Sequence, residues 1–133
     1  MTVEDEYEAI YERASRDPFC TWIGVELVTI SEGYAEAILR VRPDHLNFHG
    51  TPHGGCVYTV ADAAFAAASN SRGERALAME TNMSYLRTVE EGETLRAVAD
   101  ENYCGEKTAE YEVGVFTTAD ERVATFRGRV YKP

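Results

Sequence analysis

The sequence predicts an α+β domain, with a curved antiparallel β-sheet wrapped around one long central α-helix. Three observations carry this. Residues 54–71 form an apolar, alanine-rich run whose one formal charge is Asp62. Alanine favours helix, and a helix apolar on nearly every face belongs inside a protein. A strand hairpin precedes that run, and four strand-like segments follow it. Their connections are short and polar, which implies antiparallel neighbours.

The elements follow in order. Within the N-terminal segment 1–17, residues 4–16 place Tyr7, Ile10, Tyr11 and Ala14 at helical spacing with charges between them. This is an amphipathic helix ended near Asp17-Pro18. Phe19 to Gly24 reads as a short helix or turn, and Val25 to Ile30 as a strand. Ser31-Glu32-Gly33 turns the hairpin, and Tyr34 to Val41 returns. Pro43 to Pro52 is a loop leading into the central helix. Beyond the Arg72-Gly73-Glu74 turn, strands are expected at 76–87, 93–103, 108–117 and 122–131, and they read as a meander. The last of these is amphipathic. No repeat or linker divides residues 1–133, which read as a single domain large enough for a sizeable core.

Composition narrows the function. The net charge is −10, from 23 acidic and 13 basic residues. That argues against nucleic-acid binding, which needs a basic surface, and against docking on anionic membranes. Only Lys107 and Lys132 are lysines. Acid excess with scarce lysine is consistent with adaptation to high salt, where the Debye length shrinks to about 3 Å at 1 M, and equally with an ordinary acidic surface. The three cysteines, Cys20, Cys56 and Cys104, lack metal-ligand spacing and read as reduced thiols of a cytoplasmic protein. The acidic N-terminus does not look like a signal peptide.

The chemistry concentrates in one segment, Asp44-His45-Leu46-Asn47-Phe48-His49-Gly50-Thr51-Pro52-His53-Gly54-Gly55. Gly54 and Gly55 permit close backbone approach where the helix begins. The first N–H groups of a helix have no internal partner and carry partial positive charge, so they can stabilise an oxyanion. Asp62 is a lone carboxylate on a buried helix, which is costly unless it is paired, hydrogen-bonded or functional. It follows Gly54 by eight residues, or about 12 Å along the axis at ~1.5 Å per residue. One chain cannot easily bring the two together. Two antiparallel central helices, one from each subunit of a dimer, can.

Asn47-Phe48-His49-Gly50-Thr51-Pro52-His53-Gly54-Gly55, followed by Val60-Ala61-Asp62-Ala63-Ala64-Phe65, resembles the hotdog-fold acyl-CoA thioesterases, most nearly the PaaI (phenylacetic acid degradation) type. Tyr85-Leu86-Arg87 and Ala124-Thr125-Phe126-Arg127-Gly128 extend the likeness, which runs from about Phe19 to the end. The resemblance implies a hotdog fold and a homodimer with composite active sites, often paired into a homotetramer. It implies acyl-CoA as substrate, hydrolysed to free acid and CoA. Asp62 becomes the catalytic carboxylate, as general base or nucleophile, with Gly54 or Gly55 as oxyanion donor. Asn47 positions the thioester or water, and His53 shapes the loop. Some relatives carry a Ser or Thr on the strand after the helix; here Ala78 stands where that hydroxyl is expected, a departure from the family pattern for which Thr81 is the candidate substitute. Phenylacetyl-type aromatic acyl groups are the expected substrates, with medium-chain fatty acyl groups second. Water, a carboxylate and an oxyanion hole suffice for a thioester, so no cofactor is expected.

Each residue also has a plainer reading. Asp62 can be a hydrogen-bonded structural acid, Gly54-Gly55 a packing device, Asn47 a turn residue and His53 a loop-stabilising partner. Arg87 and Arg127 suit CoA phosphates or are solvated strand residues. His45, His49 and His53 recur every four residues, but Pro43, Gly50 and Pro52 exclude a continuous helix there, so no metal site is expected. Cys56 reads as core packing. Two rival functions remain open: a non-catalytic acyl-CoA-binding module, and a hotdog enoyl-CoA hydratase or dehydratase using His53 with Asp62.

Overall fold

The structure is a computed structural model that describes residues 7–133; the expected helix at positions 4–6 lies outside the described residues. From Tyr7 onward the chain forms α1 (Glu8–Ser15), α2 (Pro18–Ile23), β1 (Glu26–Ser31), β2 (Tyr34–Arg40), a 3-10 turn at Pro43–His45, α3 (Gly54–Ser69), β3 (Leu77–Tyr85), β4 (Thr94–Cys104), β5 (Thr108–Phe116) and β6 (Arg122–Tyr131). Local chemistry sets the boundaries. Asp17 caps α2 by accepting from the Cys20 N–H, and Pro18 occupies the first helical position, where its missing N–H costs nothing. Gly24 ends α2 at φ 98°, a left-handed conformation that glycine adopts without strain.

The six strands form one antiparallel sheet in the order β1-β2-β4-β5-β6-β3. This corrects the expected meander. β4, β5 and β6 are sequential neighbours, but β3 pairs with β6 and the chain then crosses back to set β4 against β2. The residue patterns explain the choice. β4 alternates buried Leu95, Ala97 and Ala99 and fits a central position. β3 exposes Ala78, Glu80, Asn82 and Ser84 and fits an edge. Register shifts in β1, β3, β4 and β6 add bends that let the sheet curve around α3.

Helix α3 lies in the concave face. Val57, Val60, Ala61, Ala64, Phe65 and Ala68 are buried against Ala35, Ala37, Leu39, Leu95, Ala97, Val113 and Val115. Small side chains on β2 and β4 bring the helix backbone close to the sheet. Phe65 needs more room and finds it over Gly128, where an added Cβ would lie 2.5 Å from the ring. The ring also meets Phe126 and Tyr111 at centroid distances of 5.3 and 5.8 Å. Burying a side chain of that size contributes roughly 2–3 kcal/mol. The far end of α3 is tied to the hairpin and to β4: Gly33 donates its N–H to the Ser71 hydroxyl, and Arg72 makes a two-point contact with Glu101 of β4 at 2.6 and 2.9 Å. The opposite face of α3 is not fully covered. Asp62 and Ala63 are half-buried there and Ala66 is exposed. No helix among the described residues is long and apolar enough to cross a membrane.

Candidate active site

The loop before α3 is built on Asn47. Its side-chain oxygen accepts from the His49 N–H at 2.9 Å, the Thr51 N–H at 3.1 Å and the Thr51 hydroxyl at 3.2 Å. Its backbone pairs with Thr51 O and Gly50 N. Asn47 therefore acts as the turn residue its plainer reading requires, while its amide nitrogen has no partner among the described residues. His45 is buried and fully used: Nδ1 accepts from the Arg42 N–H, so Nε2 carries the proton and donates to Ile23 O at 2.7 Å. Among the described residues no three His, Cys, Asp or Glu side chains converge as a metal would need.

His53 is the cap of α3. Its Nδ1 accepts the Gly55 N–H at 2.9 Å, and its carbonyl receives the Cys56 N–H. The cap divides the two glycines. The Gly55 N–H is engaged, whereas the Gly54 N–H has no partner among the described residues. The free donor of this helix end is therefore that of Gly54. Tyr85 closes over it: its hydroxyl donates to the Gly54 carbonyl at 3.1 Å, and its ring sits 3.4 Å from where a Gly54 Cβ would be. Gly54, Tyr85, Arg87 and Val123 line a cavity of about 350 Å³.

Asp62 lies two turns further on and lines a different cavity of about 560 Å³, bounded by α1, α2 and the start of β3. Its carboxylate has no hydrogen bond or ion pair among the described residues. Burial, and then the nearby negative charge of Asp17, push its pKa above the usual carboxylate value. Burial, followed by Asp17 and Asp62, holds the Cys20 thiol in that cavity protonated, with its pKa pushed up to about 12. The thiol is no nucleophile. One chain thus presents an unpaired carboxylate in one cavity and an unpaired helix N–H at another, and does not bring them together.

The remaining predicted residues scatter. Thr81 faces the helix and shares a 2.6 Å hydrogen bond with the Tyr58 hydroxyl. Arg87 lines the Gly54 cavity and pairs with Glu121. Arg127 lies on the outer face of β6, 3.9 Å from Glu112 across the strand, and borders neither cavity. Sequence reasoning missed Tyr85 and Tyr58 as neighbours of the helix start. The signal was available: from Thr81, period-two alternation puts Met83 and Tyr85 on the helix-facing side of β3.

Comparison with known proteins places the fold in a family. The model of the Thioesterase superfamily matches residues 49–124, from the loop through α3 into β6. The acyl-coenzyme A thioesterase PaaI of Escherichia coli is 33% identical, over 93% of this chain and 86% of that one. Among solved structures, the E. coli PaaI protein from the phenylacetic acid degradation operon superposes with a TM-score of 0.91 at 30% identity, covering 96% of this chain and 93% of that chain. A mutant of the phenylacetic acid degradation protein PaaI from Thermus thermophilus gives 0.85 at 40% identity, covering 88% and 100%. The sheet wrapped on α3 is the hotdog fold, and the chain belongs to the thioesterase superfamily as a thioester hydrolase of the PaaI type.

Proposed function

We propose that this protein hydrolyses acyl-CoA to free acid and CoA in the cytoplasm, and that phenylacetyl-type aromatic acyl groups are its preferred substrates. The observation that carries the reading is Asp62, an unpaired, half-buried carboxylate facing a cavity of about 560 Å³. A carboxylate with a burial-raised pKa that lines a cavity without a partner is the kind of group that active sites use. As general base, Asp62 takes a proton from water while the hydroxide attacks the thioester carbon; as nucleophile, its oxygen attacks directly and water later releases the acid. In either route the carbonyl electrons move to oxygen, the Gly54 N–H stabilises that oxyanion, and the C–S bond breaks to release CoA thiolate. The amide nitrogen of Asn47 is available to orient the thioester or water. Because Asp62 and Gly54 border separate cavities in one chain, the working site pairs Asp62 of one protomer with Gly54 of its partner in a homodimer, two of which form a tetramer. No cofactor takes part. The PaaI relatives, one of them described as an acyl-CoA thioesterase, support the substrate class.

The test is free-thiol release from a panel of aromatic and aliphatic acyl-CoAs, in low and high salt. Asp62→Asn should lower turnover by roughly 10²–10⁴ while circular dichroism and the oligomeric state stay as in the wild type. Wild-type turnover in that variant would remove Asp62 from the chemistry. A best substrate of the medium-chain aliphatic class would replace the aromatic assignment.

A further inference from the structure

The cavity beside Asp62 carries an uneven distribution of charge. Arg13, Arg16 and Arg75 line it, together with Asp17 and Asp62. In a chain with ten more acidic than basic residues, most arginines find a carboxylate: Arg42, Arg72, Arg87, Arg96, Arg127 and Arg129 each face one. Arg16 is held by Glu12 at 3.4 Å. Four arginines face none among the described residues: Arg40 on β2, Arg122 on β6, which stacks on Phe116, and Arg13 and Arg75, which both border this cavity. Each of the latter two is presented by a fixed backbone. Arg13 belongs to α1, which is tied to the sheet where the Tyr11 hydroxyl donates to Leu27 O at 3.2 Å. Arg75 precedes Ala76, whose N–H and carbonyl both bond the Asn70 side chain at the end of α3, at 3.0 and 3.2 Å. That anchor lies eight residues beyond Asp62, or about 12 Å along the helix axis.

The cavity wall therefore carries charge of both signs. Asp17 and Asp62 are close enough for the charge of Asp17 to raise the Asp62 pKa, and together they repel an anion beside the reacting carboxylate. The exposed guanidinium groups of Arg13 and Arg75 attract one at the rim. A neutral acyl group leaves both cations without use. We propose that the cavity admits an acyl group carrying a carboxylate at its far end, which Arg13 and Arg75 read while the thioester lies at Asp62. The assignment rests on the thioesterase reading. Carboxylate and phosphate oxygens suit arginine equally, so the phosphates of CoA are the competing occupant, and the experiment separates the two.

The measurement is kcat/KM for matched pairs, adipyl-CoA against hexanoyl-CoA and 4-carboxyphenylacetyl-CoA against phenylacetyl-CoA, repeated with the corresponding S-acyl pantetheines. The wild type should favour the carboxylated member of each pair, with the preference seated in KM. The Arg13→Gln, Arg75→Gln double variant should reduce that preference by roughly 10- to 100-fold, the size of one charge-assisted hydrogen bond. Arg129→Gln, on the outer face of the sheet, should leave the preference at its wild-type value. Persistence of the effect with pantetheine thioesters assigns the rim to the acyl carboxylate. A double variant that loses kcat/KM equally for both members of each CoA pair, and loses none with the pantetheine thioesters, assigns the arginines to the phosphates and overturns the proposal. Thioester hydrolysis without charge preference overturns this proposal alone, and no thiol release from any substrate overturns the thioesterase reading with it.

Discussion

Asp62 carries opposite consequences for activity and for stability. Burial and Asp17 favour its protonated form in the folded protein. The carboxylate must be ionised to act as base or nucleophile, so the acid limb of the pH–rate profile should lie above the ordinary aspartate range. Asp17→Asn removes the second cause and should move that limb to lower pH. Stability follows the reverse sign. A folded-state pKa above the unfolded value means that the folded chain binds the proton more tightly. The contribution is fully present below the unfolded pKa and is lost as pH rises through the folded one. At neutral pH the ionised, unpartnered carboxylate therefore burdens the fold, and Asp62→Asn should melt at a higher temperature than the wild type. The difference should shrink as pH is lowered through the aspartate range. Thermal melts of the two proteins from pH 4 to 8 check this, and an equal or lower melting temperature for the variant at neutral pH contradicts the linkage.

At the scale of elements, α3 shows what the sequence makes legible. Its alanine content, apolar faces and preceding Gly54-Gly55 mark both the helix and its start, because helix formation is governed by neighbours along the chain. The strands between breakers are legible for the same reason. Their order is not: β3 passes over β4 and pairs with β6 because its solvent-facing Glu80, Asn82 and Ser84 suit an edge, a choice made by packing across the whole sheet. The candidate site divides likewise. Gly54 and Asp62 stand out as residue types in a pattern, whereas the division between a free Gly54 N–H and an engaged Gly55 N–H depends on the His53 ring rotamer. That cap can be tested. His53→Ala should cost about 1 kcal/mol in urea unfolding, the typical worth of a cap. It also frees the helix start to fray and should lower turnover. His53→Asn, which keeps an acceptor at the cap position, should restore most of the stability. A His53→Ala protein as stable as the wild type would show that the helix start is held by Tyr85 and the loop instead.

Viewed whole, one chain leaves several of its surfaces unfinished. β3 is an open sheet edge, α3 exposes Ala66 beside half-buried Ala63 and Asp62, Phe48 is 93% exposed and Trp22 72%. Exposed apolar surface of this kind suits the second copy of the chain that the proposed composite site calls for. That proposed pairing can be tested by activity alone. Gly54→Pro deletes the proposed oxyanion donor, yet proline is tolerated at the first position of a helix, and the extended His53 backbone, at φ −60° and ψ 135°, suits the residue before it. Asp62→Asn deletes the carboxylate. Each variant alone should be nearly inactive. If the site pairs Asp62 of one protomer with Gly54 of the other, a mixed dimer of the two variants holds one site damaged twice and one intact. Unfolding the variants together and refolding them as an equal mixture should then recover about a quarter of wild-type activity, because about half of the dimers are mixed and each has one good site of two. If both groups serve the same site within one chain, no site in the mixture is whole and none of the activity returns.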